Sequence, residues 1–262
     1  MENRHKIYFA SDFHLGLDAE TLSIDREKEA VSWLTAAATD AKEIYLLGDI
    51  FDFWWEYNNV VPKGFTRFLG AISSITDSGI PVHFFTGNHD LWAGNYLANE
   101  CGMTMHRSPV TVTLDGKTFH LAHGDGLGLK NIGSKFLLSL FRNKTLQKLY
   151  SVIPPSIGIA TGKKWSQISS RETEDFKGEE SEDLIRYAKS ILAKEKIDYF
   201  IFGHRHLATK YKLNSDCEIL FLGNWISSRN YGLWNGKKLL FCEIIMLVSK
   251  NQPAHPSLSR FR

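Results

Sequence analysis

Five short stretches of the chain each end an apolar run with side chains that can bind a metal ion. They read YFASDFH, YLLGDIFD, HFFTGNHD, FHLAHGD and YFIFGHRH. If the apolar runs are strands of an open α/β sheet, the polar groups after them gather at its carboxyl edge. The glycines before Asp49, Asn88 and His204 would permit tight turns and a close approach of the backbone. The candidate ligands are Asp12, His14, Asp49, Asn88, His123, His204 and His206.

This set contains nitrogen and oxygen ligands and no sulfur, which favours Mn, Fe or Zn over Ca or a structural zinc. Two ions with about four protein ligands each need eight contacts, and seven residues supply them when one carboxylate bridges. Asp49 is the natural bridge, and Asp52 would orient a ligand or a backbone group. Two ions about 3.5–4 Å apart can activate a water molecule and clamp a phosphoryl group.

The elements that must carry these residues alternate along the chain. KIYFAS, EIYLLGD and PVHFFTGN read as strands, and residues 25–40 and 61–79 between them have helical spacing. This β-α-β-α-β order predicts a parallel sheet. VTVTLDGKTFHLAHG alternates around Asp115 and Gly116 and predicts a hairpin. SEDLIRYAKSILAKEKI predicts a helix capped by Ser181, and DYFIFGH, ATKYKL, EILFLGNW and KKLLFCEIIML predict the final strands.

The segment between the hairpin and that helix is basic. Residues 126–171 include eight Lys and Arg and no Asp or Glu, although the net charge of the chain is only +2. Apolar spacing predicts short helices over 134–141 and 144–153, ended by Pro154 and Pro155. A basic amphipathic helical pair suits an anionic membrane surface or the wall of an acyl-chain pocket, and a solvated basic face is the alternative.

Length and composition predict one large α/β domain, since the chain has 262 residues and 43% hydrophobic content. We expect this domain over residues 1–250, an insertion over about 129–170 and a flexible tail over 251–262. Three scattered cysteines without a CxxC pair fit a reducing compartment. We find no signal peptide and no apolar run of about 18 residues, so we expect a cytoplasmic protein, soluble or peripheral.

The motifs D-x-H, G-D-x-x-D, G-N-H-D, H-G-D and G-H-x-H, in this order, resemble the signature of the calcineurin-like metallophosphoesterases. The resemblance implies an α/β (α+β) four-layer sandwich of two mixed β-sheets flanked by helices, with the helical insertion as a lid. It implies that one metal ion binds Asp12, His14, Asp49 and His206. It implies that the other binds Asp49, Asn88, His123 and His204.

The same resemblance assigns roles to residues beside the ligands. His89 would stabilise the phosphoryl oxygens or protonate the leaving group, and Asp90 would orient His89. Asp52 and Asp125 would support the ligands from behind. The implied cofactors are two divalent ions, of which we favour Mn²⁺ over Fe or Zn.

Within this family, three features resemble the enzymes that hydrolyse UDP-2,3-diacylglucosamine, a lipid-linked nucleotide sugar of lipid A biosynthesis. They are the aromatic residues of GDIFDFWWE, the long helical insertion and FLGNW. The implied reaction cleaves the pyrophosphate bond to give UMP and 2,3-diacylglucosamine 1-phosphate. The resemblance also implies that the protein is peripheral on the anionic cytoplasmic face of the inner membrane. We expect it to bind no nucleic acid and to need no obligate protein partner. The expected substrate contacts are Asn88, His89, Arg205, Lys130 and Asn131.

Departures from those enzymes concern the substrate, and two of them lie within the motifs. Those enzymes typically carry Arg at the position of His89 and Thr at the position of Arg205. A soluble metallophosphoesterase acting on another phosphodiester or pyrophosphate, such as a nucleic acid or a cyclic nucleotide, therefore stays open as an alternative. Its basic segment would bind phosphates. A non-catalytic scaffold of the same fold is a further alternative, although such proteins tend to lose ligands and this chain keeps the full set.

Overall fold

The computed structural model describes residues 4–129, 132–169, 176, 178–179 and 181–244. Within these ranges the strands are β1 (Lys6–Ala10), β2 (Ala41–Leu47), β3 (Val82–Phe85), β4 (Thr104–His106), β5 (Val110–Leu114), β6 (Lys117–Ala122), β7 (Tyr199–Phe202), β8 (Ala208–Lys212), β9 (Glu218–Leu222), β10 (Asn230–Trp234) and β11 (Leu239–Glu243). The helices are α1 (Ser23–Ala37), α2 (Thr66–Asp77), α3 (Tyr96–Cys101), α4 (Ile132–Arg142), α5 (Lys144–Tyr150), α6 (Pro155–Ser169) and α7 (Asp183–Leu192).

The strands form two mixed sheets. The first has the order β11-β10-β1-β2-β3-β4 and the second the order β5-β6-β7-β9-β8. Strands β1 to β4 are parallel, and β10 joins β1 in the antiparallel direction. In the second sheet β6, β7 and β9 are parallel, and β5 forms the predicted antiparallel hairpin with β6. The predicted β-α-β-α-β unit is therefore the parallel half of the first sheet.

Both faces of the central strands are buried, as in other parallel sheets covered on two sides. In β1, Ile7 and Phe9 face the second sheet across an apolar interior, while Tyr8 and Ala10 face the helical side. Helices α1 and α2 cover the outer face of the first sheet, and α7 covers the outer face of the second. These layers confirm the predicted four-layer arrangement of two mixed sheets flanked by helices.

Several element boundaries differ from the sequence prediction. Helix α7 begins at Asp183 with Glu182 in the cap position, so the predicted cap at Ser181 is wrong. Helix α2 begins at Thr66 because Phe65 has a left-handed backbone, with φ 62°. The sequence prediction missed α3 and β4, which carry too few residues to show a period, and it also missed β10.

Three helices, α4, α5 and α6, lie between β6 and α7, where the sequence predicted two. Helix α6 begins at Pro155, because proline at the first helical position has no N–H group that needs a partner. Among the helices of the described ranges, none combines the length and apolar character that crossing a membrane requires. Residues 251–262, for which we predict a flexible tail, lie outside the described ranges.

Candidate metal centre

The five motif turns follow the carboxyl ends of β1, β2 and β3 in the first sheet and of β6 and β7 in the second. Parallel pairing places these ends along one edge of each sheet. The two edges meet, because the main-chain N–H of His204 donates to Asp12 Oδ2 at 3.1 Å. The seven predicted ligands thus come together from residues up to 194 positions apart along the chain, Asp12 to His206.

The first cluster consists of Asp12, His14 and His206. Their ligand atoms lie within 4.8 Å of one another. The Nε2 atoms of His14 and His206 are 3.2 Å apart, and His206 Nε2 is 3.3 Å from Asp12 Oδ1. His14 Nδ1 lies 3.3 Å from Asp52 Oδ1, the supporting position predicted for Asp52. Because Nδ1 faces that carboxylate, Nε2 is the nitrogen left for a metal ion.

The second cluster consists of Asp49, His123 and His204, again with ligand atoms within 4.8 Å of one another. His123 Nε2 is 3.1 Å from Asp49 Oδ2 and 3.4 Å from Asn88 Oδ1. His123 Nδ1 donates to the carbonyl oxygen of Leu47 at 2.7 Å, which leaves Nε2 for a metal ion. The predicted bridging by Asp49 stays a prediction, although its charge also acts on His14 of the first cluster.

The backbone at the ligands is strained. Among the described residues, seven that are not glycine have a positive φ. Such backbone is uncommon for residues with a side chain and concentrates at functional sites. Five of the seven are predicted ligands: Asp12, His14, Asp49, His204 and His206. The turns are therefore shaped around the ligand positions, at a cost that the surrounding packing must offset.

The glycines of the motif turns are required for close approach, as the sequence predicted. A Cβ atom at Gly203 would lie 2.5 Å from Asp12 Oδ2, and one at Gly48 would lie 2.6 Å from His123 Nδ1. A Cβ atom at Gly87 would overlap Asp49 Oδ1. Each glycine thus lets one ligand turn pack directly against a ligand of another turn.

The charges of the clusters favour cations. Burial lowers the pKa of His14, but hydrogen bonds with Asp12 and Asp52 outweigh burial and raise this pKa to about 10. Burial also opposes ionisation of Asp49, yet His123 and His89 hold the pKa of the Asp49 carboxyl well below its ordinary value. The carboxylates thus retain protons on the histidines, which divalent cations would displace. The donor set, the ring orientations and the charge fit a pair of divalent ions.

His89 is buried beside the first cluster, with its ring 4.8 Å from the ring of His14. Its main-chain N–H donates to Asp49 Oδ1 at 2.9 Å. Its Nδ1 atom lies 2.9 Å from the carbonyl oxygen of Asp52 and 2.5 Å from Ser166 Oγ of α6. The ring of the predicted catalytic histidine is therefore held partly by the insertion.

Asp90 and Asp125 connect the ligand turns to other parts of the structure. Asp90 accepts hydrogen bonds from the main-chain N–H groups of Ile50, at 2.9 Å, and Gly87, at 2.7 Å. Asp90 thus ties two ligand turns together, and the hydrogen bonds of the described residues include none from it to the His89 ring, so its orienting of His89 stays a prediction. Asp125 pairs with Arg142 of α4 at 3.0 Å, which links the turn after His123 to the insertion.

The predicted substrate contacts outside the clusters stay predictions. Arg205 is buried, and its guanidinium donates to both carboxylate oxygens of Glu182, each at 3.0 Å. Lys130 and Asn131 lie outside the described residues.

The aromatic run after Asp52 supports the insertion. Trp54 belongs to the core beside the first sheet. Trp55 instead packs on Tyr150 of α5, with ring centroids 4.5 Å apart. Gly162 of α6 lies so close to the ring of Phe53 that a Cβ atom there would overlap it. A single strand end therefore carries two acidic residues into the metal centre and the aromatic platform on which the insertion rests.

The sequence prediction missed Arg26, which is fully buried in α1. Its Nε donates to the carbonyl oxygen of Phe13 and its Nη2 to that of His14, both at 2.9 Å. Arg26 therefore holds the turn that carries Asp12 and His14. A charged residue on a helix reads as exposed from the sequence, so no sequence signal indicated this role.

The chain is similar to known phosphoesterases over most of its length. The family model described as Calcineurin-like phosphoesterase matches residues 5–208. The chain is 39% identical over 254 residues to a protein of Porphyromonas gingivalis named UDP-2,3-diacylglucosamine hydrolase, covering 90% of this chain and 97% of that protein. It is 26% identical over 224 residues to a protein of the same name from Histophilus somni, and this alignment covers 84% of this chain and 92% of that protein. A solved dimetal phosphatase from Danio rerio aligns with 92% of this chain and 96% of its own, with TM-score 0.48 and 12% identity. The family model spans all five motif stretches, from YFASDFH to YFIFGHRH.

Proposed function

The chain belongs to the calcineurin-like phosphoesterase family, and on that premise we propose that it hydrolyses the pyrophosphate bond of UDP-2,3-diacylglucosamine. The products would be UMP and 2,3-diacylglucosamine 1-phosphate. The names of two relatives support this substrate, and the alignment with the Porphyromonas gingivalis relative covers 97% of that protein. The substrate choice therefore rests on likeness along nearly the whole length of a protein named for this hydrolysis.

One observation of the molecule carries the proposal, namely the apolar surface of the insertion beside the metal centre. Of the twelve large hydrophobic side chains exposed among the described residues, eight lie between residues 136 and 165: Phe136, Leu137, Leu140, Leu146, Leu149, Val152, Ile157 and Trp165. Exposed apolar side chains concentrated in one segment in this way favour an interaction site there. Acyl chains would cover it favourably, at about 0.8 kcal/mol for each buried methylene.

This apolar surface includes an open concavity of ≈ 420 Å³, whose lining includes Leu146, Leu149 and Val152. Tyr150 lines the same concavity and packs against Trp55, which follows the Asp49 turn by only six residues. A lipid held on the insertion would therefore have its headgroup near the ligand turns. We propose that this face also rests on the anionic cytoplasmic surface of the inner membrane, where the protein would be peripheral.

The metal ions would be held by the two clusters, with Asn88 completing the second. For the ions themselves we propose Mn²⁺, with Fe or Zn as alternatives. Two such ions supply a Lewis acid for the phosphoryl group and an activated water. His89 would contact the phosphoryl oxygens or protonate the leaving group through Nε2, because Asp52 and Ser166 hold its Nδ1 atom.

The test is release of UMP from UDP-2,3-diacylglucosamine in detergent, with Mn²⁺ added to the purified protein. We expect turnover by the wild type and a large loss in Asn88→Ala, since the second cluster loses an amide ligand. Asn99→Ala, an exposed position in α3, is the matched control and should keep full activity.

Two results would contradict the proposal. The first is cleavage of bis-p-nitrophenyl phosphate or a cyclic nucleotide with no preference for the lipid nucleotide. It would favour the soluble phosphoesterase. The second is metal binding with no turnover of any of these substrates, which would favour a scaffold.

A further inference from the structure

A buried ion pair lies outside the two clusters, where the chain returns from the insertion to the second sheet. Glu182 is 1% exposed and Arg205 8% exposed. Arg205 donates from Nε to Glu182 Oε2 and from Nη2 to Oε1, each at 3.0 Å. Two parallel bonds of this kind fix the plane of the guanidinium as well as its position. Glu182 occupies the cap position of α7 without capping it, and its carboxylate faces Arg205 instead.

Arg205 lies between two predicted ligands in an unusual turn. His204 and His206 both have a left-handed backbone, with φ 64° and 52°. The main-chain N–H of Arg205 donates to the carbonyl oxygen of Gly203 at 2.7 Å, which closes a three-residue turn centred on His204. A turn of this kind with a positive φ at its centre is rare and strained. Strained backbone persists only where the surroundings hold it.

The start of α7 also contacts the other ligand turn of the second sheet. A Cβ atom at Gly124, the residue after His123, would lie 3.0 Å from Leu184 Cδ1. Arg186 Nη2 donates to the carbonyl oxygen of Gly128 at 3.2 Å. The first turn of α7 therefore contacts both ligand turns of the second sheet. Leu184 packs against the turn after His123, and the Glu182–Arg205 ion pair joins α7 to the turn that carries His204 and His206.

We propose that Glu182 and Arg205 are positioning residues for metal binding. Their ion pair holds the strained turn that directs His204 to the second cluster and His206 to the first. The carboxylate of Glu182 also neutralises a guanidinium next to the metal centre, which would otherwise repel the cations. This assignment gives Arg205 a role in positioning rather than in substrate contact. It rests on the metal sites of the proposed function and is independent of the substrate.

The chain offers a matched control for the ion pair. Glu29 accepts from Arg229 Nε at 2.8 Å, and both side chains are mostly buried. Among the described residues Glu29 makes no hydrogen bond with a predicted ligand. Glu29→Gln and Glu182→Gln therefore remove the same charge from similar ion pairs, but only Glu182 is bonded to a residue that stands between two predicted ligands.

The experiment is a calorimetric titration of the metal-free proteins with Mn²⁺, accompanied by urea unfolding of the same samples. We expect Glu182→Gln to bind Mn²⁺ about 10- to 100-fold more weakly than the wild type, the usual effect of removing a group that orients a ligand. Glu29→Gln should bind Mn²⁺ as tightly as the wild type, even if its urea unfolding midpoint falls as far as that of Glu182→Gln. Arg205→Lys keeps the charge but cannot form two parallel bonds, so its affinity should lie between these limits.

The proposal is overturned if Glu182→Gln binds Mn²⁺ as tightly as the wild type, or if Glu29→Gln loses as much affinity. If Glu182→Gln does not fold, Arg205→Lys decides on the same criterion against Glu29→Gln. Since the titration contains no substrate, its outcome is separate from the proposed function. A wild type that binds two ions but leaves the lipid nucleotide intact contradicts only the hydrolysis.

Discussion

Gly48→Ala is the substitution whose effect follows most directly from the geometry of the metal centre. Gly48 precedes Asp49 and has φ +85°. A Cβ atom at this position would lie 2.6 Å from His123 Nδ1 and 2.8 Å from the main-chain nitrogen of Gly87. The same Nδ1 atom donates to Leu47 O at 2.7 Å. The new methyl group must therefore displace either the imidazole or the turn that carries Asp49.

Gly48→Ala should destabilise the protein more than the same substitution at Gly79. Left-handed backbone costs an alanine about 1–2 kcal/mol. Loss of the hydrogen bond between His123 and Leu47 adds about 0.5–1.5 kcal/mol. Gly48→Ala should therefore lower the free energy of unfolding of the metal-free protein by about 1.5–3.5 kcal/mol. Gly79 has nearly the same backbone, φ +82°, and a Cβ atom there would have no other atom within 4 Å. Gly79→Ala should therefore lose only the backbone contribution of about 1–2 kcal/mol.

Urea unfolding of the metal-free proteins, followed by circular dichroism, measures this difference. A Mn²⁺ titration of the same proteins should show affinity reduced about 10- to 100-fold in Gly48→Ala, because the ring of a ligand has moved. Gly79→Ala should bind as the wild type does. Equal stability of the two variants together with unchanged affinity in Gly48→Ala would refute the placement of the His123 ring.

Three further predictions concern protons, the first ligand turn and the insertion. The hydrogen bonds that outweigh burial keep the pKa of His14 at about 10, so its ring is protonated at pH 7 without metal. Metal binding should therefore release protons, and the affinity for the metal should rise with pH. A calorimetric binding enthalpy that stays the same in buffers of different ionisation enthalpy would contradict this. Arg26→Lys should cost about 1.5–3 kcal/mol in urea unfolding, because at least one charged hydrogen bond to the first turn is lost, and unchanged stability would exclude that role. Leu149→Asp, at a position 67% exposed, should lower kcat/KM for the lipid nucleotide and spare bis-p-nitrophenyl phosphate. Leu22→Asp, 57% exposed before α1, is its control, and equal losses on both substrates would argue against a lipid surface.

The sequence was informative where chemistry and periodicity coincide. Apolar runs of strand length end in Asp, Asn and His, so both the parallel sheet and the set of candidate ligands could be predicted from the same five stretches. The alternation of strands and helices predicted parallel pairing, which the structure shows from β1 through β2 to β3. The structure brings all seven candidates to the meeting edges of the two sheets, which agrees with that prediction.

Contacts between distant residues could not be predicted in the same way. Ser166 meets His89 across 77 positions, and Glu182 meets Arg205 across 23. Periodicity indicates which face of a helix is apolar, but it does not indicate which buried polar group pairs with which. Arg26 has the same difficulty, because its role depends on the backbone carbonyls of a turn that lies thirteen positions earlier. The left-handed backbone of the ligands could not be predicted either, because Asp and His adopt it more often than most residues but still only occasionally.

The proposed metal centre requires that two separate Asp and His clusters each hold one ion. Crystals of the wild type grown with Mn²⁺ and measured at the manganese absorption edge test it most directly. Two anomalous peaks are expected, one bounded by Asp12, His14 and His206 and the other by Asp49, His123 and His204. A map with no peak at either cluster at saturating Mn²⁺, or with peaks only elsewhere on the molecule, would contradict this assignment of the ligands.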